Sequence, residues 1–290
     1  MPIENVSDTA RWVAVYRAME SERADALFRD PFARRLAGER GARIVAELPR
    51  GRSAAWSMIV RTAVLDEIIV DRVTNGGVDT VVNLAAGLDA RPWRLPLPPS
   101  LRWVDVDLPA ILEYKRRVIG DERPRCRYEA VATDLTSDAA RDALFARLGA
   151  GSRRALVVSE GLLIYLTREQ VGALAAALHA VPSFHWWLFD LAGPLLLRIM
   201  NRTWGRTVAA GNAAFHFAPA EGTEFFRPFG WREAHFRSGA EESHRLRREM
   251  RLASIWRFVS RLLPARTRES FRRMFGFVLL ERDDAATGSA

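Results

Sequence analysis

A regular alternation of short apolar runs with longer helix-like segments, between residues 80 and 190, most strongly constrains the fold of this chain. The five apolar runs are TVVNLA, LRWVDV, RYEAVA, ALVVSE and HWWLFD. The segments between them include AILEYKRRVIG, DAARDALFARLG and REQVGALAAALHAV, which have helical periodicity. Alternation of this kind predicts an α/β protein with a doubly wound, Rossmann-like sheet that has a parallel core.

Two later strand-like runs, GWREAHFR and FGFVLLER, extend the predicted sheet to seven strands, most of them parallel. The sequence before residue 76 has the pattern of helices. The predicted organisation is a helical cap over residues 1–75, a core over 76–190, a lid insertion over 191–229, the last two strands with an intervening basic helix over 230–282, and a tail over 283–290.

The composition excludes several classes of protein. With 290 residues, of which 49% are hydrophobic, the chain can bury a sizeable core. The single cysteine, Cys126, excludes an intramolecular disulfide and a cysteine-based metal cluster, and we predict no metal site. The first residues lack the layout of a signal peptide, and two prolines, a histidine and an aspartate interrupt the longest apolar stretch. We therefore expect a cytoplasmic protein without a membrane partner.

The net charge of +8 is concentrated late in the chain, where residues 237–282 contain 12 arginines and 5 glutamates. Apolar residues recur at helical spacing in RLRREMRLASIWRFVSRLL, so we interpret most of these arginines as the solvated face of one amphipathic helix. A site for an anion, a membrane or a nucleic acid is the alternative. We favour the solvated helix and expect no nucleic-acid partner.

Small residues and acids follow the predicted strands, at the edge where ligands of open α/β sheets bind. Gly87 lies in a turn after the first strand, and Asp107 comes 20 residues later, at the end of the second strand. That spacing is typical of a nucleoside site, in which the acid accepts hydrogen bonds from ribose hydroxyls. A nicotinamide-dependent oxidoreductase shares the pattern, although Arg91-Pro92 would interrupt the helix that should face a pyrophosphate. A tight turn with surface acids is the structural alternative.

Five motifs along the chain carry a resemblance to a known family. They are RADALFRDPFA, VVNLAAGLDARPWRL, WVDVDLP, TDLTSD and SEGLLIYL. Through them the chain resembles the leucine carboxyl methyltransferase-like branch of the class I S-adenosylmethionine-dependent methyltransferases, from about residue 9 to residue 282. It departs from the family pattern at Ala85, where the family usually has the first glycine of its turn. A methyl group there narrows the turn if a positive φ is required.

The resemblance implies a role for each matched residue around the cofactor, which the core would bind. Ala85 and Gly87 lie in the turn that would let the methionine part pass close to the backbone. Asp107 would hold the ribose. Asp134 would accept a hydrogen bond from the adenine amino group, and the Leu135 amide would donate to a ring nitrogen.

At the methionine end of the cofactor, the resemblance implies three charged residues. Glu160 would face this end, while Arg61 and Arg17 match positions where a basic residue grips the cofactor carboxylate. A guanidinium pairs well with a carboxylate. The alternative for each arginine is a surface position on an amphipathic helix.

Two further residues are candidates for contact with the acceptor. Methyl transfer to oxygen is an in-line displacement on a reactive donor, so alignment and exclusion of water supply much of the catalysis, and an anionic acceptor needs no base. Tyr165 lies five residues after Glu160, close enough to touch an acceptor, and His216 in the insertion is the candidate base. The alternatives are a packed tyrosine and a packed or surface histidine.

The sequence therefore predicts an S-adenosyl-L-methionine-dependent O-methyltransferase that forms a methyl ester on a carboxylate of a small metabolite and releases S-adenosyl-L-homocysteine. A small molecule is favoured over a protein carboxyl terminus because Lys115 is the only lysine among 43 Lys and Arg residues, which suggests a GC-rich bacterium and natural product biosynthesis. A phenolic O-methyltransferase of the same fold and a nicotinamide-dependent oxidoreductase are the alternatives. The sequence does not predict the oligomeric state.

Overall fold

A seven-stranded sheet lies at the centre of the computed structural model, which describes residues 6–48, 51, 54–209, 214–250, 253 and 263–284. The strands are β1 (Thr80–Leu84), β2 (Arg102–Asp107), β3 (Arg127–Ala132), β4 (Ala155–Ser159), β5 (Phe184–Ala192), β6 (Trp231–Ser238) and β7 (Phe275–Arg282). Their order is β3-β2-β1-β4-β5-β7-β6, and β7 runs antiparallel to both of its neighbours. The predicted seven-stranded, mostly parallel, doubly wound sheet is confirmed.

Helices precede the sheet and connect its strands. The described α-helices are α1 (Val6–Ser21), α2 (Ala33–Glu47), α3 (Ala55–Thr74), α4 (Arg91–Arg94), α5 (Pro109–Ile119), α6 (Asp138–Ala150), α7 (Arg168–His179), α8 (Pro194–Ala209), α9 (Gly239–Arg245) and α10 (Ala265–Arg272). Two 3₁₀ helices cover Leu163–Tyr165 and Gly222–Phe229. None of the described helices is both long and apolar enough to cross a membrane.

Two apolar cores lie on opposite faces of the sheet, because side chains alternate along each strand. β1 and β4 are buried at every position, as parallel strands covered on both faces are. Val82 and Leu84 of β1 belong to the core that contains α6 and α7, whereas Val81 belongs to the core that contains α3. Because β1 to β5 run parallel, their carboxyl ends lie at one edge of the sheet.

A third core joins the N-terminal helices to that edge. Trp12 of α1 and Leu36 of α2 are buried in it together with Leu88, which follows β1, and Phe215. The N-terminal helices therefore pack where the parallel strands end. The division of the chain into cap, core, lid and tail stays a prediction.

The arginine-rich segment differs from the predicted amphipathic helix. α9 ends at Arg245, and residues 246–250 form a turn and an irregular stretch, so the continuous helix is wrong here; most of its remainder lies outside the described residues. Arg248 is buried and donates from Nη2 to Glu20 Oε1 of α1 at 2.8 Å. Six arginines of this segment pair with acids, namely Arg237, Arg245, Arg248, Arg272, Arg273 and Arg282. Much of the positive charge is thus neutralised by neighbouring carboxylates.

A buried carboxylate joins β2 to the elements around it. Asp105 is fully buried and accepts hydrogen bonds from Asn83 Nδ2 at 3.1 Å, Trp103 Nε1 at 2.9 Å, Tyr128 OH at 2.8 Å and Lys115 Nζ at 2.6 Å. Burial and the Asp105 charge raise the pKa of Tyr128 well above its usual range, so its hydroxyl stays protonated and donates. Asp105 therefore has the partners that a buried carboxylate requires.

The turn after β1 has a left-handed backbone at two positions. Ala85 has φ +50° and Gly87 has φ +52°. A Cβ atom on Gly87 would lie 3.2 Å from the Cβ atom of Ala10, so both the φ angle and the space favour glycine. Ala85 adopts the left-handed region despite its methyl group, at a cost of about 1–2 kcal/mol for an L-residue. The strain expected for an alanine in this turn is present.

Lys115→Met is expected to lower the free energy of unfolding by about 3–5 kcal/mol, because it leaves the buried Asp105 carboxylate without its cation. Arg116→Ala is the matched control on the same helix, since Arg116 pairs with Glu113 in an exposed ion pair and its loss should leave stability nearly unchanged. Urea denaturation followed by circular dichroism measures both variants. Equal losses would contradict the role assigned to the buried pair.

Ala85→Gly is expected to raise the free energy of unfolding by about 0.5–1 kcal/mol, because the relief of left-handed strain exceeds the entropy that glycine adds to the unfolded chain. Ala86→Gly is the control, since Ala86 has no positive φ, and it should lower stability by a similar amount. Thermal denaturation compares the two. A less stable Ala85→Gly protein would show that the turn is not strained at this position.

Candidate active site

A cavity of about 1740 Å³ lies at the edge of the sheet where the parallel strands end. Residues at the ends of β1, β2, β4 and β5 line it, together with side chains of α1, α3 and α8. Seven of the predicted site residues lie in this lining, namely Arg17, Arg61, Ala85, Gly87, Asp107, Glu160 and Tyr165. Asp134, Leu135 and His216 are not part of the lining.

Asp107 closes the turn after β1 from the end of β2. Its Oδ2 accepts a hydrogen bond from the Gly87 amide at 2.6 Å, and its Oδ1 accepts one from the Leu108 amide at 2.7 Å. Burial raises the pKa of Asp107 above its usual value, although the two amides oppose this shift. Each carboxylate oxygen has a further lone pair. Asp107 can therefore also accept hydrogen bonds from hydroxyl groups of a ligand in the cavity.

The residues predicted to contact adenine lie on the loop that follows β3. β3 runs beside β2, and the Thr133 amide donates to the Asp107 carbonyl at 3.0 Å. Asp134 comes next, with an exposed carboxylate that accepts from the Thr136 amide at 2.9 Å. The side chain of Leu135 packs against the core. The loop is thus adjacent to Asp107, and the roles of Asp134 and Leu135 stay predictions.

Two arginines hold Glu160, the residue directly after β4. Arg61 Nε donates to Glu160 Oε1 at 2.9 Å, and Arg91 Nη1 donates to Glu160 Oε2 at 2.7 Å. Arg61 Nη1 also donates to Asp190 Oδ2 at 3.2 Å. Burial alone would raise the pKa of Glu160, but the charges of Arg91 and Arg61 outweigh burial and lower it. Arg61 is buried, so its interpretation as a surface arginine is wrong.

Arg91 lies at the centre of this charged cluster and is not among the site residues predicted from the sequence. Its side chain is 2% exposed, with Nε donating to Asp66 and Nη1 donating to Asp89, each at 2.7 Å. Its Nη2 is buried and has no hydrogen-bond partner among the described residues. An unpaired buried donor is costly, and Arg91 lines the cavity, so a ligand acceptor that reached Nη2 would remove this cost. The sequence signal that points to Arg91 is the opposite charge of Asp89, two residues earlier in a turn at a strand end.

The charged cluster has one more acid than base. Its members are the guanidinium groups of Arg61, Arg91 and Arg94 and the carboxylates of Asp66, Asp89, Glu160 and Asp190. Three positive and four negative groups give a formal charge of −1. Within the described segments, no group of three or more His, Cys, Asp or Glu side chains could hold a metal ion. The cluster therefore presents a weakly negative wall made of paired ions.

Arg17 connects α1 to the turn. Its Nε donates to Asp30 Oδ2 at 2.8 Å, and its Nη2 donates to the Leu88 carbonyl at 2.6 Å. The side chain is 8% exposed, so the surface position considered for it is also wrong. Arg17 lines the cavity, and its contact with a cofactor carboxylate stays a prediction.

Tyr165 and His216 occupy different environments. Tyr165 lines the cavity, with its ring centroid 5.5 Å from that of Phe215. Burial raises the pKa of Tyr165 above its usual value, although the Arg61 charge opposes this shift, so the hydroxyl stays a neutral donor at physiological pH. The side chain of His216 is exposed, and its amide donates to the Ile164 carbonyl at 2.7 Å. The structure therefore brings only Tyr165 to the cavity.

Comparison of the sequence with known proteins identifies relatives that are named as methyltransferases. A provisionally named S-adenosyl-L-methionine-dependent methyltransferase of Streptomyces coelicolor is 40% identical over 181 residues, which cover 58% of this chain and 62% of that protein. Another, from Streptomyces avermitilis, is 37% identical over 183 residues, which cover 59% of this chain and 64% of that protein. The aligned part of the chain thus spans less than two thirds of the length of these relatives.

Solved structures share the fold, and a family model matches the sequence. A DUF574 family protein from Streptomyces avermitilis superposes with a TM-score of 0.61 at 14% identity, covering 94% of this chain and 97% of that one. A provisionally assigned methyltransferase from Thermobifida fusca has a TM-score of 0.54 at 16% identity, covering 98% and 96%. At these identities the likeness concerns the fold alone. The model described as leucine carboxyl methyltransferase matches residues 10–179, more than half of the chain. The chain therefore belongs to the leucine carboxyl methyltransferase family, as its motifs predicted.

Proposed function

We propose that the chain is an S-adenosyl-L-methionine-dependent O-methyltransferase that converts a carboxylate of a small metabolite into its methyl ester. Family membership confirms the predicted methyl donor. One observation supports the carboxylate acceptor: Tyr165, a hydroxyl donor for an anion, lines the cavity beside the charged cluster, whereas His216, the candidate base, lies outside the lining.

The nucleoside end of the cavity fits this donor. Asp107 would accept hydrogen bonds from the ribose hydroxyls with the lone pairs that its two amide partners leave free. The left-handed backbone at Ala85 and Gly87 would let the donor pass close to the turn. Asp134 and the Leu135 amide, on the loop beside Asp107, would bind the adenine.

The methionine end fits as well. The unpartnered Nη2 of Arg91 would donate to the donor carboxylate, with Arg61 and Arg17 nearby in the lining. Glu160 would face the ammonium group. The donor carries a sulfonium, an ammonium and a carboxylate, so its net positive charge matches the formal charge of −1 of the cluster. When bound, it supplies a methyl group made electrophilic by the positive sulfur.

The chain itself would contribute orientation and exclusion of water. Tyr165 would donate its hydroxyl hydrogen to one oxygen of the acceptor carboxylate, which leaves the second oxygen to be methylated. The cap over residues 1–75 and the insertion over 191–229 would cover the site, because Trp12 of α1 and Leu195 of α8 both line the cavity. Neither contribution requires a strong base.

The positions of the histidines bear on whether the acceptor is a carboxylate or a phenol. Among the described histidines, His244 alone lines the cavity, and its Nδ1 lies 3.4 Å from Glu249 Oε1 with the His244 side chain 60% exposed. His216, the candidate base from the sequence, is exposed outside the lining. A carboxylic acid with a pKa of about 4 needs no base at neutral pH, whereas a phenol with a pKa of about 10 does. The arrangement favours the carboxylate.

Arg91→Lys is expected to weaken binding of S-adenosyl-L-homocysteine by about tenfold or more. The single ammonium of lysine cannot replace a guanidinium that donates both to Glu160 and to a ligand carboxylate. Binding of 5′-methylthioadenosine, which lacks the amino-acid part, should change by less than about threefold. Asp107→Asn is the contrasting variant. It should weaken the binding of both ligands to the same extent, since both contain the ribose. Calorimetry measures all four affinities. Equal losses for the two ligands in Arg91→Lys would remove Arg91 from the carboxylate site.

With a carboxylic acid acceptor, the rate at saturating cofactor should stay within about twofold from about pH 6.5 to 9, because the acceptor is ionised and Tyr165 stays protonated throughout. His216→Ala and His244→Ala should each leave the rate within a few-fold of the parent. Mild alkali should hydrolyse the product, as it does an ester. A rate that rises with pH through one ionisation, together with a rate loss of about a hundredfold in either histidine variant, would indicate a phenol acceptor. That result would contradict the carboxylate acceptor.

A further inference from the structure

The large apolar side chains that stay exposed in the described part of the chain share one location. They are Leu108, Leu195, Ile199, Met250 and Phe271, each between 38% and 46% exposed, and all five line the cavity. Scattered exposed apolar side chains are ordinary, whereas several around one cavity mark a binding site. Their shared location indicates that the cavity takes an apolar ligand.

α8 supplies two of these side chains on one face. Leu195 and Ile199 are four residues apart, so they lie above one another on the helix surface. Met200 and Trp204 of the same helix pack instead against the core that contains α1 and α2. One apolar face of α8 is therefore packed within the protein, and a second is exposed at the cavity.

The buried ion pairs and most of the exposed apolar side chains lie on different elements of the cavity, although the ion pair of Glu241 and Arg272 also lines it beside Phe271. The ion pairs gather where β1, β4 and β5 end, whereas the exposed apolar side chains, apart from Leu108, belong to α8, to residue 250 and to α10. The volume of about 1740 Å³ exceeds the roughly 300–1,000 Å³ of a pocket for one small ligand. The cavity thus has room for the methyl donor and for a second ligand of similar size.

We propose that the acceptor is an amphiphilic carboxylic acid whose extended apolar body lies against an apolar wall formed by Leu195, Ile199, Met250 and Phe271. Its carboxylate would lie at the charged end, near Tyr165. The identity of the reacting group rests on the proposed function, while the apolar body follows from the wall alone. A flat lipid surface fits less well, because side chains that line a concave cavity cannot all reach a plane.

Straight-chain carboxylates from butanoate to dodecanoate, below their micellar concentrations, test this proposal. With S-adenosyl-L-homocysteine bound, calorimetry should show an affinity that rises about two- to fourfold for each added methylene group, since each leaves water for an apolar wall. With S-adenosyl-L-methionine, kcat/KM should rise in parallel through KM rather than kcat.

The double variant Leu195→Gln/Ile199→Gln places polar amides on the apolar wall. It should lower the affinity for dodecanoate by about tenfold or more and leave that for butanoate within about twofold. Arg202→Gln is the matched control, since Arg202 is an exposed residue of α8 outside the cavity lining, and it should change neither. An unchanged affinity for S-adenosyl-L-homocysteine establishes that the double variant is folded.

Each of three results would contradict either the apolar acceptor or the function on which it rests. Methylation of short acids with no dependence on chain length would overturn the apolar acceptor and leave the proposed function standing. Methylation of long-chain alcohols or phenols, with no ester formed from any acid, would show that the reacting group is not a carboxylate. The apolar body proposed for the acceptor would stand. Adsorption to phosphatidylcholine vesicles that the double variant abolishes, without chain-length dependence in solution, would assign these side chains to a lipid surface and overturn the proposal.

Discussion

Pairing of buried charges at the carboxyl edge of the sheet is the interaction on which the rest of the site depends. An ion taken out of water costs several kcal/mol unless partners of opposite charge surround it. Several elements that reach this edge supply such a partner: α3 provides Arg61 and Asp66, the turn after β1 provides Asp89, α4 provides Arg91, and Glu160 follows β4. Displacement of any one element would leave a charge buried without its counterion. The relative positions of these elements are therefore set before a ligand binds.

Polar contacts also tie α1 to the turn after β1 and to the segment that follows α9. Arg17 of α1 reaches the turn after β1 through the Leu88 carbonyl, and Glu20, one turn further along, accepts from Arg248 beyond α9. Glu20 is fully buried and also accepts from the Leu27 amide at 2.8 Å. Apolar contacts in the third core are non-directional, so they alone would not define the position of α1 along its axis. The directional polar contacts of Arg17 and Glu20 define it.

How much the sequence predicts depends on whether the signal is local. The strands are predicted correctly because each carries an apolar or alternating pattern in its own residues, and Asp107 is found because its chemistry and its place at a strand end are both local. Arg91 escapes because its partner Glu160 lies 69 residues away. For Arg61 the sequence leaves a cofactor contact and a surface position open because its partner Glu160 is 99 residues away, and the predicted helix after α9 is wrong because Arg248 pairs across 228 residues. Only the fold brings such charges together.

The buried ion pair between Lys115 of α5 and Asp105 of β2 has a chemical consequence for the whole molecule. Lys115 is the only lysine of the chain, and its side chain is 1% exposed against Asp105. The folded protein therefore presents no lysine amine to solvent, and lysine-directed reagents or enzymes gain a lysine target only when α5 separates from the sheet. The exposed cationic side chains are arginines, whose guanidinium groups stay charged at alkaline pH where an amine would deprotonate. Acylation of this single lysine therefore reports the separation of α5 from the sheet, while the reagent leaves the charge of the surface arginines unchanged.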